Sequence, residues 1–312
     1  MLSRVAASFY WLSRYIERSD GMLRMLKINY ASSQDAVQEF TWEPVIRIYA
    51  GKDGDDDSVK LENNSRSVLK YMVTGKNNSN SILNIITLAR ENARGVQEHI
   101  PKDLWQCLNE YYHTVKEPKI EKALQREDPI GILDILIKQV MLYYGTAEIT
   151  MERGEGRSFM NIGKYLERAI QSVDILDTKF GSIDDNPDLL TDTSYWKHLL
   201  LSLGGYELYL KTYREGFESS NILEQVVLND DFPRSVIYSV NNIQRYFEKL
   251  KNDSNMDDYR EMSFQIGRLQ SRIKYSSVRS IEQEGLHLFL TQIRKELYGI
   301  GNSLNEHYFA NS

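Results

Sequence analysis

Ser3-Arg-Val-Ala-Ala-Ser-Phe-Tyr-Trp-Leu-Ser-Arg-Tyr-Ile-Glu-Arg18 decides the fold class of this chain. Beginning there, Val5, Phe9, Leu12, Ile16, Leu23 and Leu26 recur at intervals of 4, 3, 4, 7 and 3 residues, one apolar stripe of a long helix. Trp11, Tyr15 and Met22 widen the stripe on one flank, so this helix is expected to pack against more than one neighbour. The same period continues along the chain and predicts helices over about 42–50, 58–75, 80–98, 102–115, 130–150, 156–180, 193–217, 219–229, 233–250, 256–276 and 279–309. Pro44, Pro101, Pro129, Pro187 and Pro233 fall at or just before these starts, where a missing N–H costs little. Ser81 and Asp103 stand near N-termini in the same way. With 6 prolines, 18 glycines and no regular spacing of turn clusters, the chain reads as all-α.

Its 312 residues are too many for most single cores and suit two domains or one large helical array. A formal charge of −6 argues against a nucleic-acid or anionic-membrane footprint. The 20 tyrosines therefore read as core rather than as base-stacking platforms. Cys107 stands alone, which excludes an internal disulfide and fits a reducing cytoplasm. The uncharged run Val5 to Ser13 is followed by Arg14, Glu17, Arg18 and Asp20, not by a small-residue cleavage site. The longest uncharged run, Asn77 to Ala89, is rich in Asn and Ser and falls short of the roughly 20 apolar residues that span a bilayer. A cytoplasmic protein without nucleic-acid or membrane partners is the expectation.

Ser8 to Ser19 (SFYWLSRYIERS) aligns with Ser158 to Ala169 (SFMNIGKYLERA). Identical pairs are Ser8/Ser158, Phe9/Phe159, Tyr15/Tyr165, Glu17/Glu167 and Arg18/Arg168, and Arg14/Lys164 is conservative. Trp42/Trp196 and Ser81/Ser235 follow at a slightly longer offset. Similarity at a long, nearly constant period points to two equivalent halves, 1–150 and 151–312, packed into one multi-helix bundle.

At about 100° per residue, Arg4, Arg14 and Arg18 share one face of the first helix, as Arg157, Lys164 and Arg168 do on its counterpart. Adjacent helical residues do not face each other, so Glu17 and Glu167 need partners on other helices, such as Arg90-Glu91-Asn92-Ala93-Arg94. Two readings stay open. One is a pair of Arg/Glu pockets for an anionic group or peptide carboxylate. The other is interhelical salt bridges that fix how long helices cross.

Glu110-Tyr-Tyr-His113 and Glu284-Gly-Leu-His287 are both Glu-x-x-His, and with Glu17 and Glu167 they would supply the ligand count of a dimetal bundle. The two motifs are not placed as the internal repeat would place them, so no metal and no cofactor is expected. Asp53, Asp55 and Asp57 have calcium-loop spacing, but Ser58 and Asn64 replace the glycine and the bidentate glutamate. No nucleophile elbow, Walker A or dinucleotide glycine pattern occurs.

The opening Met1 to Arg18 resembles the alpha-E domain family of bacterial proteins. The resemblance continues through Ala89 to Arg94, Trp105 with Asn109, Gly163-Lys-Tyr-Leu-Glu-Arg168, Asp231 to Val236, Gly285-Leu-His287, Phe289-Leu290 and Tyr308-Phe309. Lys164 departs from the arginine more usual there, keeping the charge but losing the planar fork. The resemblance implies companions of two kinds: circularly permuted ATP-grasp ligase-like proteins and transglutaminase-like proteins. It implies no catalytic residue, so Arg14, Glu17, Arg18, Arg90, Glu91, Arg94, Lys164, Glu167, Arg168, Arg234 and His287 are candidates only. The leading expectation is a non-catalytic helical partner or substrate-presenting module for an ATP-grasp-type amide ligase. The alternative is an enzyme of the same pathway using an Arg/Glu pocket or a Glu/His metal centre. A homo-oligomeric scaffold is a third reading.

Overall fold

The computed structural model describes residues 1–35, 41–49, 64–126, 128–185, 187–214, 216–252 and 256–309. Among them every regular element is helical. The chain divides into two compact units, one of residues 15–152 and the other of residues 1–14 with 153–312. The first helix, α1 (Ser3–Asp35), is continuous and supplies its first turns to the latter unit and the rest to the former.

In the unit of residues 15–152, α1 is followed by α2 (Glu43–Tyr49), α3 (Ser65–Thr74), α4 (Ile82–Gly95), α5 (Lys102–Lys116), α6 (Pro118–Arg126) and α7 (Pro129–Thr150). Helix α5 packs on α4 and α7, and α3 packs on α6. Leu23, Leu26, Met72, Ile86, Leu108 and Val140 are fully buried in its core. By length and composition alone α7 could cross a bilayer. Leu133, Leu136, Ile137, Val140, Tyr143 and Ala147, however, form a buried face along it, and its Asp134 accepts an ion pair from Lys27 of α1 at 2.6 Å.

The other unit holds α8 (Glu155–Asp185), α9 (Thr193–Ser202), α10 (Tyr206–Thr212), α11 (Ser219–Leu223), α12 (Val236–Phe247), α13 (Met256–Lys274), α14 (Val278–Glu284) and α15 (Leu286–Leu304). The long α8 is its centre, packed on α12 and α15, while α13 packs on both of those. Ile162, Leu166, Val173, Val240, Ile266 and Leu297 fill the core between them.

Local chemistry explains most boundaries. Asn64, Ser81, Asp128, Asp192, Ser235 and Ser277 each accept a backbone N–H of the first turn that would otherwise lack a partner. Two expected helices are broken by glycine. The predicted 193–217 segment stops after Ser202, because Gly204 takes φ +64°. Its N–H and that of Gly205 return to the carbonyls of Leu201 and Leu200 at 3.0 and 2.8 Å, closing a Schellman turn. The predicted 279–309 segment is divided at Gly285, with φ +96°. Helix α6 was not expected: Pro118 starts it only two residues beyond the end of α5. The Asp53/Asp55/Asp57 loop lies outside the described residues.

Several helix boundaries recur at an offset of 154 residues (235 − 81). That shift carries Ser65–Thr74 onto 219–228, which is α11 and the π-turn Glu224–Leu228 that extends it. It carries the start of α5 onto that of α13, and the end of α7 onto that of α15. The turns agree bond for bond. Asn78 N–H to Gly75 O (3.3 Å) and Ser81 N–H to Asn78 O (2.9 Å) match Phe232 N–H to Asn229 O (3.4 Å) and Ser235 N–H to Phe232 O (2.9 Å).

Candidate functional site

A close approach of α8 to the first turns of α1 is made at a glycine. A Cβ on Gly163 would lie 2.4 Å from the Tyr10 carbonyl oxygen, so only a hydrogen fits there. One turn further along α8, Glu167 meets Arg14. The guanidinium donates from Nε and Nη2 to Glu167 Oε2 at 2.8 and 2.7 Å, and from Nη1 to the Tyr10 hydroxyl at 3.1 Å. It also lies 4.9 Å from the Trp11 ring centroid. Gly301 of α15 closes the far side, where a Cβ would touch Tyr10 Oη at 3.4 Å. Both ionised side chains are buried, at 9% and 4% exposure. Burial opposes the Arg14 charge, but the Glu167 carboxylate outweighs it and holds the proton more firmly than usual.

The other candidates of this unit lie along α8 and its neighbours. Lys164 sets its ammonium 4.3 Å from the Tyr165 ring, and the Arg168 guanidinium is 5.4 Å from the same ring. Arg168 Nη1 donates to the Pro233 carbonyl at 3.1 Å, and Ser172 Oγ donates to the Arg234 carbonyl at 2.7 Å. Two side chains of α8 thus grip the backbone just ahead of the Ser235 cap of α12. His287 stands apart, with Nδ1 2.7 Å from Asp177 Oδ1. Arg294 bridges Asp177 and Asp174 at 2.7 and 2.6 Å. Burial pushes the Asp174 carboxyl up to about 6; Arg294 opposes the rise, while Glu167 and Asp177 add to it.

In the unit of residues 15–152, Glu17 is buried and accepts a hydrogen bond from the Tyr144 hydroxyl of α7. Arg18 Nη1 reaches Asn80 Oδ1 at 3.5 Å, directly before the Ser81 cap of α4. Both Glu-Arg arginines therefore secure the approach to an N-capping serine. The Arg90–Arg94 segment pairs within itself and with α5. Glu91 pairs with Arg90 at 3.3 Å and Arg94 at 2.8 Å, and Arg90 Nε donates to Asn109 Oδ1 at 2.6 Å between the rings of Trp105 and Tyr112. The expected tie from Glu17 to these arginines is thus replaced by Tyr144.

The residues weighed as metal ligands are not brought together. Glu284 pairs with Arg272 at 2.6 Å, His287 with Asp177, Glu167 with Arg14 and Glu17 with Tyr144. His113 lies against the Tyr112 ring on an exposed stretch of α5. Among the described residues no group of three or more His, Cys, Asp or Glu could hold a metal ion. Burial also pushes the Cys107 thiol up to about 11, which leaves it a weak nucleophile.

Sequence reasoning missed Tyr10, Tyr144, Asp174, Asp177 and Arg294. A signal existed for the aspartates, three apart and so on one face of α8, but Arg294 is 117 residues beyond Asp177.

No curated protein and no solved structure matches the chain. A family model described as a predicted alpha-helical domain with a conserved ER motif matches residues 1–309. The chain has three Glu-Arg dipeptides, and two of them, Glu17-Arg18 and Glu167-Arg168, stand at corresponding points of α1 and α8. With nearly its whole length matched and those two pairs seated in the long helices of an all-helical fold, the chain belongs to the Alpha-E family.

Proposed function

We propose that this chain is a helical partner or substrate-presenting module built from two equivalent halves, and that it acts beside an ATP-grasp-type amide ligase. The observation that carries a non-catalytic role is the buried Arg14–Glu167 pair. Its charges are spent on fixing one helix crossing, and catalysis needs such groups where a substrate can reach them. The turn hydrogen bonds repeated at one offset support the two-halves reading. The partner class rests on the family resemblance, and a transglutaminase-like protein is the second companion it implies. A cytoplasmic location follows from the same reading.

The test is to recover the tagged protein from its host and to compare wild type with Glu17→Gln and Glu167→Gln. The reading expects an ATP-grasp-like protein in near-equal amount, with recovery falling in each variant as the fold loosens. A variant that keeps its fold and its partner but abolishes pathway output would overturn it and favour an enzyme.

A further inference from the structure

Lys179 is a cation that the fold surrounds without neutralising. It stands near the end of α8, half-buried, with its ammonium 4.6 Å from the ring centroid of Tyr195 near the start of α9. That ring is held in place. Its hydroxyl donates to the backbone carbonyl of Lys179 itself, and Trp196 meets it edge-on with ring centroids 5.4 Å apart. Trp196 is in turn fully buried and donates Nε1 to the Leu190 carbonyl at 3.0 Å.

Lys27 and Lys70 lie against carboxylates, Asp134 at 2.6 Å and Glu121 at 2.7 Å. Among the described residues no carboxylate pairs with Lys179 and no charged neighbour offsets its desolvation, which pulls the ammonium down to about 8. A tyrosine face attracts a cation weakly and carries no net charge, so it does not replace the missing carboxylate. The neutral amine is therefore far more accessible here than on an ordinary surface lysine, and a neutral amine is a nucleophile.

Which electrophile suits it follows from what stands beside it. Schiff-base formation with an aldehyde needs an acid to expel water from the carbinolamine. The Tyr195 hydroxyl is spent on a backbone carbonyl, and burial pushes it up to about 12. An acyl donor that carries its own leaving group needs no such help.

We propose that Lys179 is an acylation site, whose amine takes the acyl group of an acyl phosphate to form an amide. The ammonium first yields a proton to water. Its nitrogen then attacks the acyl carbon, a C–N bond forms, the C–O bond to phosphate breaks, and phosphate leaves as the nitrogen sheds a second proton. Nothing is oxidised or reduced. The inference does not depend on a ligase partner and concerns only the reactivity of this side chain.

Incubating the full chain with acetyl phosphate and following each lysine by peptide mass spectrometry tests this. At pH 7 about one-tenth of an amine titrating near 8 is neutral, against about one in 2,500 for an ordinary lysine. Lower basicity gives back part of that advantage, so Lys179 should react roughly ten- to thirtyfold faster than the exposed Lys76 and Lys102. Its rate should level off above about pH 8, while theirs keeps rising to about pH 10. Ser182→Glu, three residues further along α8, sets a carboxylate beside the ammonium and should slow Lys179 at least about threefold without changing Lys76. The wild-type rates decide the matter even where that variant is unstable. A Lys179 rate no higher than those of Lys76 and Lys102 would overturn the proposal. So would a rate that rises with theirs to pH 10, or one untouched by Ser182→Glu in a folded variant.

Discussion

Glutamine at position 167 removes one charge and almost no volume, which makes Glu167→Gln the sharpest probe of the Arg14 crossing. In the native protein the guanidinium is 9% exposed and places two of its N–H groups on one carboxylate oxygen. The substitution leaves that buried cation with a neutral amide oxygen, the Tyr10 hydroxyl and the aromatic faces of Tyr10 and Trp11, and no counter-charge. Breaking a buried pair from one side typically costs about 3–5 kcal/mol. The remaining cation–π contacts return about 0.5–2 kcal/mol of that at most. A loss of about 3 kcal/mol is expected, or roughly 6–12 °C in the melting temperature of a unit of this size. Urea unfolding followed by far-UV circular dichroism measures it. The double variant Arg14→Met with Glu167→Leu removes both charges and should return to within about 1 kcal/mol of wild type. If Glu167→Gln alone costs less than about 1 kcal/mol, the guanidinium is solvated and the pair is an open pocket, not a structural tie.

Gly163→Ala should be among the most damaging single substitutions, because its Cβ would lie 2.4 Å from a backbone oxygen that cannot yield without separating α1 from α8; a loss above about 2 kcal/mol is expected by the same urea assay. Tyr144→Phe removes one hydrogen bond from the buried Glu17 carboxylate and should cost about 1–3 kcal/mol. Ser81→Ala and Ser235→Ala each delete one N-cap bond and should each cost about 1 kcal/mol, with similar values if the two turns are equivalent. The Asp174 carboxyl titrates near 6 in the fold, above its ordinary 3.8, so the folded state holds this proton more tightly than the unfolded chain. The stability it contributes is complete below about pH 4 and is lost as pH rises through 6. Unfolding midpoints across that window should change less in Asp174→Asn than in wild type, by up to about 3 kcal/mol.

The all-helical class was legible because a period near 3.6 is a local property, carried by neighbours such as Phe9, Leu12 and Ile16 on one stripe. Capping was legible for the same reason: Ser81 and Ser235 act within three residues of themselves. The failures were local too. Gly204 and Gly285 looked like tolerable glycines inside apolar runs, and only the backbone shows that both sit at positive φ and end a helix. At the candidate site the sequence marked Arg14, Glu17, Arg18, Glu167 and Arg168, whose side chains tie α1 and α8 to their surroundings, but not their partners. Glu17 was expected to reach another helix, such as the Arg90–Arg94 segment, and accepts the hydroxyl of Tyr144, 127 residues away.

What the sequence by itself determined is the helical period, the cap chemistry, the two matching Glu-Arg helices and the resemblance to a family. Which charge faces which was decided only by tertiary structure. A buried cation must be matched by whatever the packing brings within about 3 Å, and that is set by where a glycine such as Gly163 lets two backbones touch. Helix α7 shows the same division. Its composition is that of a uniformly apolar helix, and only the fold separates the face that Val140 and Tyr143 bury from the face that Leu142 and Ile149 leave in water.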